Sequence, residues 1–345
     1  MTWHPPEETA LLAVRRRVMN DDFEVSFSHR DFPQGTEAAL NALDEAERIE
    51  QLLSVFRFDS QIHYVNLTAH ESPARLDKEL FDLITLCVHL AEETDGAVDI
   101  TSGALWKTWG FAKRQGTIPN AEELHRAKEQ TGSHFLELDE TEQTIRFKKQ
   151  GIELNFGCVG KGFALDLAAE KLRELEVHRF LFNGGLSSIL ASGTDWKIGI
   201  AHPLRPGQRL HELTLNDVAV STSGSQKQFF RHGGKRYSHL IDPRSGQPAE
   251  GVLTATVLAP TATLAELLST AFFILGAEKA ADYCSQHPEI SAVLTIPSEN
   301  VPDLRFGTLE RLESLCIIEL NEKAALTMSE PEYRLNLGRL ASCYS

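Results

Sequence analysis

The stretch from Tyr237 to Gly246, YSHLIDPRSG, concentrates side chains that can do chemistry. It carries an imidazole at His239, a carboxylate at Asp242 and a guanidinium at Arg244. Histidine is the side chain best suited to move protons near neutral pH, and arginine offers a rigid fork that matches phosphate. The stretch also fits a plain turn, because Asp-Pro-x-x-Gly is a common turn sequence. Taken alone, it predicts a turn more strongly than a site.

A second segment, GCVGKG from Gly157 to Gly162, is rich in glycine and precedes a predicted helix. Backbone N–H groups at such a helix start can hold a phosphate. The segment is not a P-loop, because Gly162 follows Lys161 where a P-loop has serine or threonine, and Asn155 replaces the first glycine. A tight turn before the helix explains the glycines equally well. Both interpretations stay open at this point.

Glu266 and Thr270 lie four residues apart in an apolar helix, which places a carboxylate and a hydroxyl on one face. Hard cations such as Mg²⁺ prefer such oxygen ligands. The same carboxylate fits a capping box, with Thr263 as the N-cap and Glu266 reaching back to its N–H. A metal site and a capped helix are therefore both open. In a separate segment, Trp106 and Trp109 are more typical of a core than of a stacking platform.

Composition excludes several classes of function. The chain has 345 residues and a formal net charge of −15, whereas nucleic-acid binding needs a basic stripe and anionic membranes repel acidic chains. No apolar run approaches the ~18 residues of a spanning helix, and the N-terminus lacks the features of a secretory signal. The five cysteines are scattered without a C-x-x-C pair, which is typical of reduced thiols. We therefore expect a cytoplasmic protein with no nucleic-acid or membrane partner.

Hydrophobic periodicity predicts the elements that must position these residues. It indicates helices over Thr36–Phe56, Leu76–Glu93, Ala121–Gln130, Lys161–Leu175, Ala265–Leu275 and Ala277–His287. It indicates a hairpin over Phe135–Lys149 and strands over Arg179–Asn183, Ser187–Ala191, Trp196–Ala201, Arg209–Leu215, Val218–Thr222, Gln228–Arg231, Lys235–Ile241, Leu253–Ala259, Ser291–Ile296 and Ser314–Glu319. The order lacks the steady alternation of a doubly wound sheet, so the predicted class is α+β.

Six motifs occur in a fixed order: TDGAVDITSGALWKTWGF (94–111), LNFGCVGKGFALD (154–166), FNGGLSSILASG (182–193), STSG (221–224), YSHLIDPRSGQP (237–248) and LAELLSTAFFILG (264–276). Together they resemble the ApbE family, the FAD:protein FMN transferases. RVMNDDFEV (17–25) and LSVFRFDSQIHYVN (53–66) resemble its first strand and its Ser-x-Tyr segment. The resemblance implies one T-fold-like domain over 15–297, of mixed or antiparallel sheets with flanking helices. An N-terminal extension over 1–14 and a C-terminal extension of unknown role over 298–345 would flank it.

The resemblance implies Mg²⁺-dependent transfer of FMN from FAD to a serine or threonine of an acceptor protein, with release of AMP. By position, it implies that His239 is the catalytic residue. It implies that FAD is contacted by Met19, Phe56, Ala97, Val98, Asp99, Asn155, Lys161, Leu240 and Ile241. It implies that the metal is bound at Cys158, Glu266 and Thr270.

Departures from the family pattern fall at the flavin and metal positions. Asn20 replaces the usual glycine, Phe56 lacks the tyrosine hydroxyl, and Asn155 replaces an acidic FAD contact. Glu266 is one methylene longer than the usual aspartate. Cys158 suits Mg²⁺ through its backbone carbonyl, since a thiol is a poor ligand for that ion. Two other functions therefore stay open: Mg²⁺-dependent hydrolysis of FAD to FMN and AMP, and FAD binding without catalysis after loss of the metal site.

Overall fold

The structure is a computed structural model that describes residues 11–113, 115–225, 228–297, 315–320 and 326–327. Its α-helices are α1 (Gly35–Leu53), α2 (Gln61–Thr68), α3 (Lys78–Glu93), α4 (Gly103–Thr108), α5 (Ala121–Glu129), α6 (Gly160–Glu174), α7 (Ala262–Leu275) and α8 (Ala277–Gln286). Its strands are β1 (Leu11–Val18), β2 (Asp21–Ser28), β3 (Ala74–Arg75), β4 (Leu136–Asp139), β5 (Thr144–Phe147), β6 (Phe180–Gly184), β7 (Ser188–Ser192), β8 (Trp196–Ala201), β9 (Arg209–Leu215), β10 (Val218–Gly224), β11 (Phe229–His232), β12 (Lys235–Ser238), β13 (Thr254–Ala259), β14 (Ser291–Pro297), β15 (Leu315–Leu320) and β16 (Leu326–Thr327).

The largest sheet has eight strands in the order β1-β2-β6-β7-β10-β13-β14-β15, and every neighbouring pair in it is antiparallel. Smaller sheets are formed by β16-β9-β8, β3-β5-β4 and β11-β12. Helices precede and interrupt these antiparallel strands, so the predicted α+β class is confirmed. The predicted hairpin over 135–149 is confirmed as β4 paired with β5.

Both faces of the large sheet are covered near its centre. Helices α1, α6 and α7 pack together on one face, where α7 contacts β10 and β13. The other face packs against the apolar side of β8 and β9. Neighbouring residues of β13 show the division, since Val257 belongs to the helix-side core and Leu258 to the second core. This double coverage explains why every residue of β13 is buried, including Thr254 and Thr256.

Segments outside the expected domain also contribute strands. β1 begins at Leu11, so residues 11–14 of the expected N-terminal extension pair with β2. In the expected C-terminal extension, β15 pairs with β14 and β16 pairs with β9. The large sheet therefore draws on residues before and after the range 15–297.

The predicted capping box at the start of α7 is wrong. Thr261 is the N-cap, and its hydroxyl accepts a hydrogen bond from the N–H of Leu264 at 3.2 Å. Thr263 lies inside the helix, and the Glu266 carboxylate points to a different helix. The helices α2 and α4 are additional to the predicted elements.

Close contact between α6 and α7 depends on Gly162. A Cβ atom at Gly162 would lie 2.3 Å from the carbonyl oxygen of Ala262 and 2.8 Å from the nitrogen of Thr263. The approach lets Asp166 of α6 accept hydrogen bonds from the N–H groups of Ala262 and Thr263, each at 2.8 Å. In return, the N–H of Gly162 donates to Oε2 of Glu266 at 2.5 Å. Each helix start is therefore bound by a carboxylate of the other helix.

We predict that Gly162→Ala lowers the free energy of unfolding by about 1–3 kcal/mol, because the added methyl must push α6 away from α7. Gly160→Ala is the matched control in the same helical turn, since its Cβ would meet no heavy atom nearer than 3.6 Å. The control is expected to be neutral or to stabilise by up to about 1 kcal/mol through helix propensity. Urea unfolding followed by circular dichroism measures both. Equal midpoints for the two variants would contradict the prediction.

Candidate functional site

Lys161 carries its ammonium group into a cluster of polar side chains at the start of α6. Its Nζ donates a hydrogen bond to Oγ of Ser187 at 2.6 Å. The same Nζ lies 3.9 Å from Oδ2 of Asp21 and 3.9 Å from Oε1 of Glu266. The Lys161 side chain is about a quarter exposed, so a ligand can reach it from solvent. The segment interpreted as a phosphate cradle, Gly157 to Gly162, therefore places a lysine at a helix start between two carboxylates.

Glu266 is a buried carboxylate, only 6% exposed. Its Oε2 accepts from Gly162, and its Oε1 accepts a longer bond of 3.3 Å from the Ser188 hydroxyl. Burial raises the pKa of Glu266, while the Lys161 charge and the hydrogen bonds act in the opposite direction. A carboxylate in this environment gains from a further positive charge near Oε1.

Thr270 lies one helical turn after Glu266 and is also buried. Its Oγ1 lies 3.2 Å from Oγ of Ser223, which belongs to the STSG motif at the end of β10. The Ser223 hydroxyl also lies 2.9 Å from that of Ser269. The two predicted metal-binding side chains on α7 are therefore accompanied by hydroxyl groups of β7 and β10.

His239 follows β12 and is half-buried. Its Nδ1 lies 3.0 Å from the carbonyl oxygen of Gln228. Because a carbonyl can only accept, Nδ1 carries the proton and Nε2 keeps a lone pair. Burial lowers the pKa of His239 to about 4, and the charge of Lys161 adds to this effect. The imidazole is therefore neutral near pH 7 and can accept a proton at Nε2.

Two of the predicted flavin contacts use their side chains within the protein. Oδ1 of Asp99 accepts from the N–H and the hydroxyl of Thr101 at 2.8 and 2.6 Å, and Oδ2 accepts from the N–H of Ser133 at 2.8 Å. Oδ1 of Asn155 accepts from the N–H of Gly157 at 2.9 Å. These side chains hold the loops around the site.

The remaining predicted flavin contacts differ in exposure. Met19 lies in the left-handed turn between β1 and β2, and its sulfur would be 3.9 Å from a Cβ at Gly160. Phe56 is 64% exposed and meets Trp106 edge-on, with ring centroids 6.5 Å apart. Leu240 is half-buried against the main core. Three other side chains are buried, so only their backbone is available to a ligand: Ala97, Val98 and Ile241.

The predicted turn after His239 is confirmed. The N–H of Gly246 donates to the carbonyl oxygen of Asp242 at 2.7 Å, and the Arg244 fork binds the Asp242 carboxylate at 2.8 and 3.0 Å. The indole of Trp109 is 2% exposed and donates to the carbonyl oxygen of Gly246 at 2.8 Å. Trp109 is thus a core residue as predicted, whereas Trp106 is only half-buried. The Arg244 guanidinium is engaged in this turn.

Known proteins with similar sequence and structure have one family in common. The model of the ApbE family matches residues 19–294. A relative from Klebsiella pneumoniae named FAD:protein FMN transferase is 30% identical over 271 residues, 76% of this chain and 85% of its own length. The relative of that name from Escherichia coli K12 is 29% identical over 282 residues, 79% of this chain and 80% of its own length. The chain belongs to the ApbE family.

Solved structures agree with this membership. The crystal structure of the ApbE protein from Thermotoga maritima has a TM-score of 0.77 and 27% identity, covering 88% of this chain and 99% of that one. The flavin transferase ApbE from Vibrio cholerae shares the fold at a TM-score of 0.75 and 22% identity, covering 84% and 95%. The predicted family and fold are confirmed. The predicted enzyme class, a transferase, is confirmed by the names of the relatives.

The donor atoms of this ApbE chain fit Mg²⁺. Within the described ranges, no three His, Cys, Asp or Glu side chains cluster as metal ligands, so a metal must take other oxygens as well. Mg²⁺ commonly uses one or two carboxylates and completes its shell with water and phosphate oxygens. Glu266 and Thr270 supply suitable oxygens. Burial raises the pKa of the Cys158 thiol to about 12, so the backbone carbonyl of Cys158 suits Mg²⁺ better than the thiol does.

Several polar residues of the site were not singled out from the sequence. Asp21, Ser187, Ser188 and Asp166 lie in the matching segments, but nothing in their local pattern marks them. The pairing of Lys161 with Asp21 and Ser187 joins segments far apart in the chain.

In the described part of the chain, no helix has the length and apolar content needed to cross a membrane.

We predict that the imidazole of His239 titrates near pH 4, because its burial disfavours the charged form. A proton–carbon NMR titration of the histidine C2 signals measures this, and His239→Gln identifies the signal by its loss. Lys161→Met is expected to raise that pKa only slightly, since burial is the larger cause. A His239 signal that titrates near its ordinary value of 6.5 would contradict the prediction.

Proposed function

We propose that the protein transfers FMN from FAD to a serine or threonine hydroxyl of an acceptor protein, with AMP as the leaving group, in a Mg²⁺-dependent reaction. The observation that carries this proposal is the placement of Lys161 beside the buried carboxylate of Glu266, 3.9 Å away, at the start of α6. Such a place suits a diphosphate and a divalent cation together. The names of the curated relatives supply the identity of the dinucleotide and of the group transferred.

The chain's own groups account for binding of the dinucleotide. The Lys161 ammonium and the N–H groups at the start of α6 attract the diphosphate. Met19 and Phe56 contact the flavin, and the Asp99 and Asn155 loops shape the pocket. Glu266, Thr270 and the carbonyl oxygen of Cys158 would hold Mg²⁺, which would supply positive charge to offset that of the diphosphate.

His239 acts as the base. The acceptor hydroxyl forms a bond to the phosphorus of the FMN half, the phosphoanhydride bond breaks, and AMP leaves with the bonding electrons. The hydroxyl proton passes to Nε2 of His239, whose lone pair is left available by the Nδ1–H bond to Gln228. An imidazole with a pKa of about 4 is a weak base. A weak base suits a loose transition state, because the bond between the hydroxyl oxygen and phosphorus is only slightly formed there.

We also propose that this acceptor is cytoplasmic. Cys87 and Cys158 are free thiols, as expected in a reducing compartment. The net charge of −15 supports a protein partner instead of nucleic acid or an anionic membrane.

In the deciding experiment, the purified protein is incubated with FAD and Mg²⁺, with and without an acceptor domain. That domain is a protein substrate of a related FAD:protein FMN transferase. AMP is followed by chromatography and covalent flavin by in-gel fluorescence. We expect AMP and a fluorescent acceptor only when the acceptor is present. AMP without acceptor supports hydrolysis of FAD, and bound but intact FAD supports a non-catalytic flavin-binding protein. Absence of FAD binding would refute all three.

We predict that Glu266→Gln slows AMP release by about 10²-fold or more, because the metal site loses its carboxylate. The magnesium concentration for half-maximal rate is expected to rise as well. Glu278→Gln, an exposed glutamate in the first turn of α8, is the matched control and is expected to match the wild type. Circular dichroism checks that both variants are folded. Wild-type kinetics in a folded Glu266→Gln variant would show that Glu266 does not bind the metal.

A further inference from the structure

Large apolar side chains are unusually exposed around the candidate site. Within the described residues, five of them are more than half exposed: Phe58 at 89%, Leu186 at 77%, Phe56 at 64%, Leu67 at 59% and Tyr64 at 57%. Four fall between residues 56 and 67, directly after α1, and the fifth precedes Ser187. Exposed apolar groups concentrated in one region mark an interaction surface, whereas scattered ones need no explanation.

Four of these residues, all between positions 56 and 67, are here named the apolar surface: Phe56, Phe58, Tyr64 and Leu67. Phe58, just before α2, meets His63 of the first turn of α2 edge-on, with ring centroids 5.3 Å apart. Tyr64 and Leu67 are three residues apart in α2 and are therefore neighbours on the helix surface. Phe56 contacts Trp106 of α4 and is itself one of the predicted flavin contacts.

The apolar surface is fixed to the site by hydrogen bonds. The side chain of Asn66 in α2 donates to the carbonyl oxygen of Leu154 at 3.0 Å and accepts from its N–H at 2.8 Å. Leu154 immediately precedes Asn155 and the glycine-rich turn. At the end of α1, Leu53 would meet a Cβ at Gly160 at 3.6 Å. The exposed rings are thus carried on elements that pack directly against the turn before Lys161.

Leu186 lies on the β6–β7 loop, directly before Ser187. Its φ of 64° is in the left-handed region, which is costly for a bulky side chain. Its N–H donates to Oδ1 of Asn183 at 2.8 Å, and the next residue, Ser187, accepts from Lys161. The loop therefore presents an apolar side chain to solvent at the entrance to the site.

Charge indicates what kind of partner covers this surface. Between residues 54 and 68, Arg57 and Asp59 neutralise each other through hydrogen bonds of 2.9 and 3.1 Å. The apolar surface is thus uncharged in a chain of net charge −15. Anionic membranes need a basic rim beside the apolar groups, which this surface lacks. A protein with apolar side chains is the partner that fits.

We propose that the apolar surface, together with Leu186, is the docking surface for the acceptor protein, which covers it with apolar side chains beside its serine or threonine. This proposal rests on the proposed FMN transfer, because only a macromolecular acceptor must rest on the rim of the site while its hydroxyl enters. Exposed aromatic side chains are the residue type that dominates binding at such interfaces.

The test replaces two residues of the apolar surface that are not placed at the flavin, in the variant Phe58→Ser with Leu67→Ser. We expect the KM for the acceptor domain to rise about tenfold or more, as for loss of interface anchors. The kcat at saturating acceptor and the Kd for FAD are expected to stay within about twofold of wild type. Leu40→Ser is the matched control, since Leu40 is an exposed leucine of α1, 43% exposed and about 20 Å from the end of that helix.

Each alternative occupant gives a distinct result that overturns the proposal. A wild-type dimer that the double variant dissociates, with KM unchanged, shows a second copy on the surface. Binding of wild type to phosphatidylglycerol vesicles that the double variant loses, with KM unchanged, shows a membrane. A lower melting temperature of the double variant, with the KM for the acceptor unchanged, shows that other parts of this chain cover the surface. Failure of the wild type to transfer FMN overturns the proposed function and this docking proposal together, whereas transfer with KM unchanged overturns only the docking.

Discussion

Two carboxylates exchanged between α6 and α7 hold the candidate site together. Asp166 binds the N–H groups at the start of α7, and Glu266 binds the N–H of Gly162 at the start of α6. Burial raises the pKa of both carboxyl groups, so each would be costly without a partner. The positive ends of the two helix dipoles and the N–H hydrogen bonds offset that cost. The exchange requires close contact of the helices, and the missing side chain of Gly162 permits it.

This exchange also explains the position of Lys161. The residue precedes Gly162, so the turn that gives an N–H to Glu266 directs the lysine ammonium toward the same carboxylate. Asp21 is the first residue of β2 and packs against Gly185, where a Cβ would lie 2.1 Å from the carboxyl carbon. Ser187 arrives from the loop after β6. The large antiparallel sheet brings these turns together, because β2 and β6 are neighbours in it.

Elements with regular periodicity were predictable from the sequence, and interactions between distant segments were not. The strands β8 and β9 coincide with the predicted ranges, since alternation reports a half-buried face directly. The helix α2 escaped prediction because it exposes Tyr64 and Leu67 to solvent and so lacks an ordinary amphipathic pattern. Glu266 was open to a local capping interpretation, and local sequence cannot show that another helix start, far away in the chain, binds it instead. The family resemblance pointed to segments whose polar side chains the structure brings together, but the contacts of Lys161 with Asp21 and Ser187 required the structure.

Exposure of the site bears on how transfer is separated from hydrolysis. Lys161 is about a quarter exposed, so water has access to any phosphate held there. A neutral imidazole with a low pKa activates water and an alcohol alike, and thus gives little selectivity by itself. Selectivity must then come from positioning, because a hydroxyl fixed in line with the phosphorus reacts at a high effective concentration. A partner seated on the apolar surface and Leu186 would supply that positioning and exclude water in the same step. The proposed transferase would then be complete only with its acceptor bound, and the exposed aromatic side chains would serve that binding.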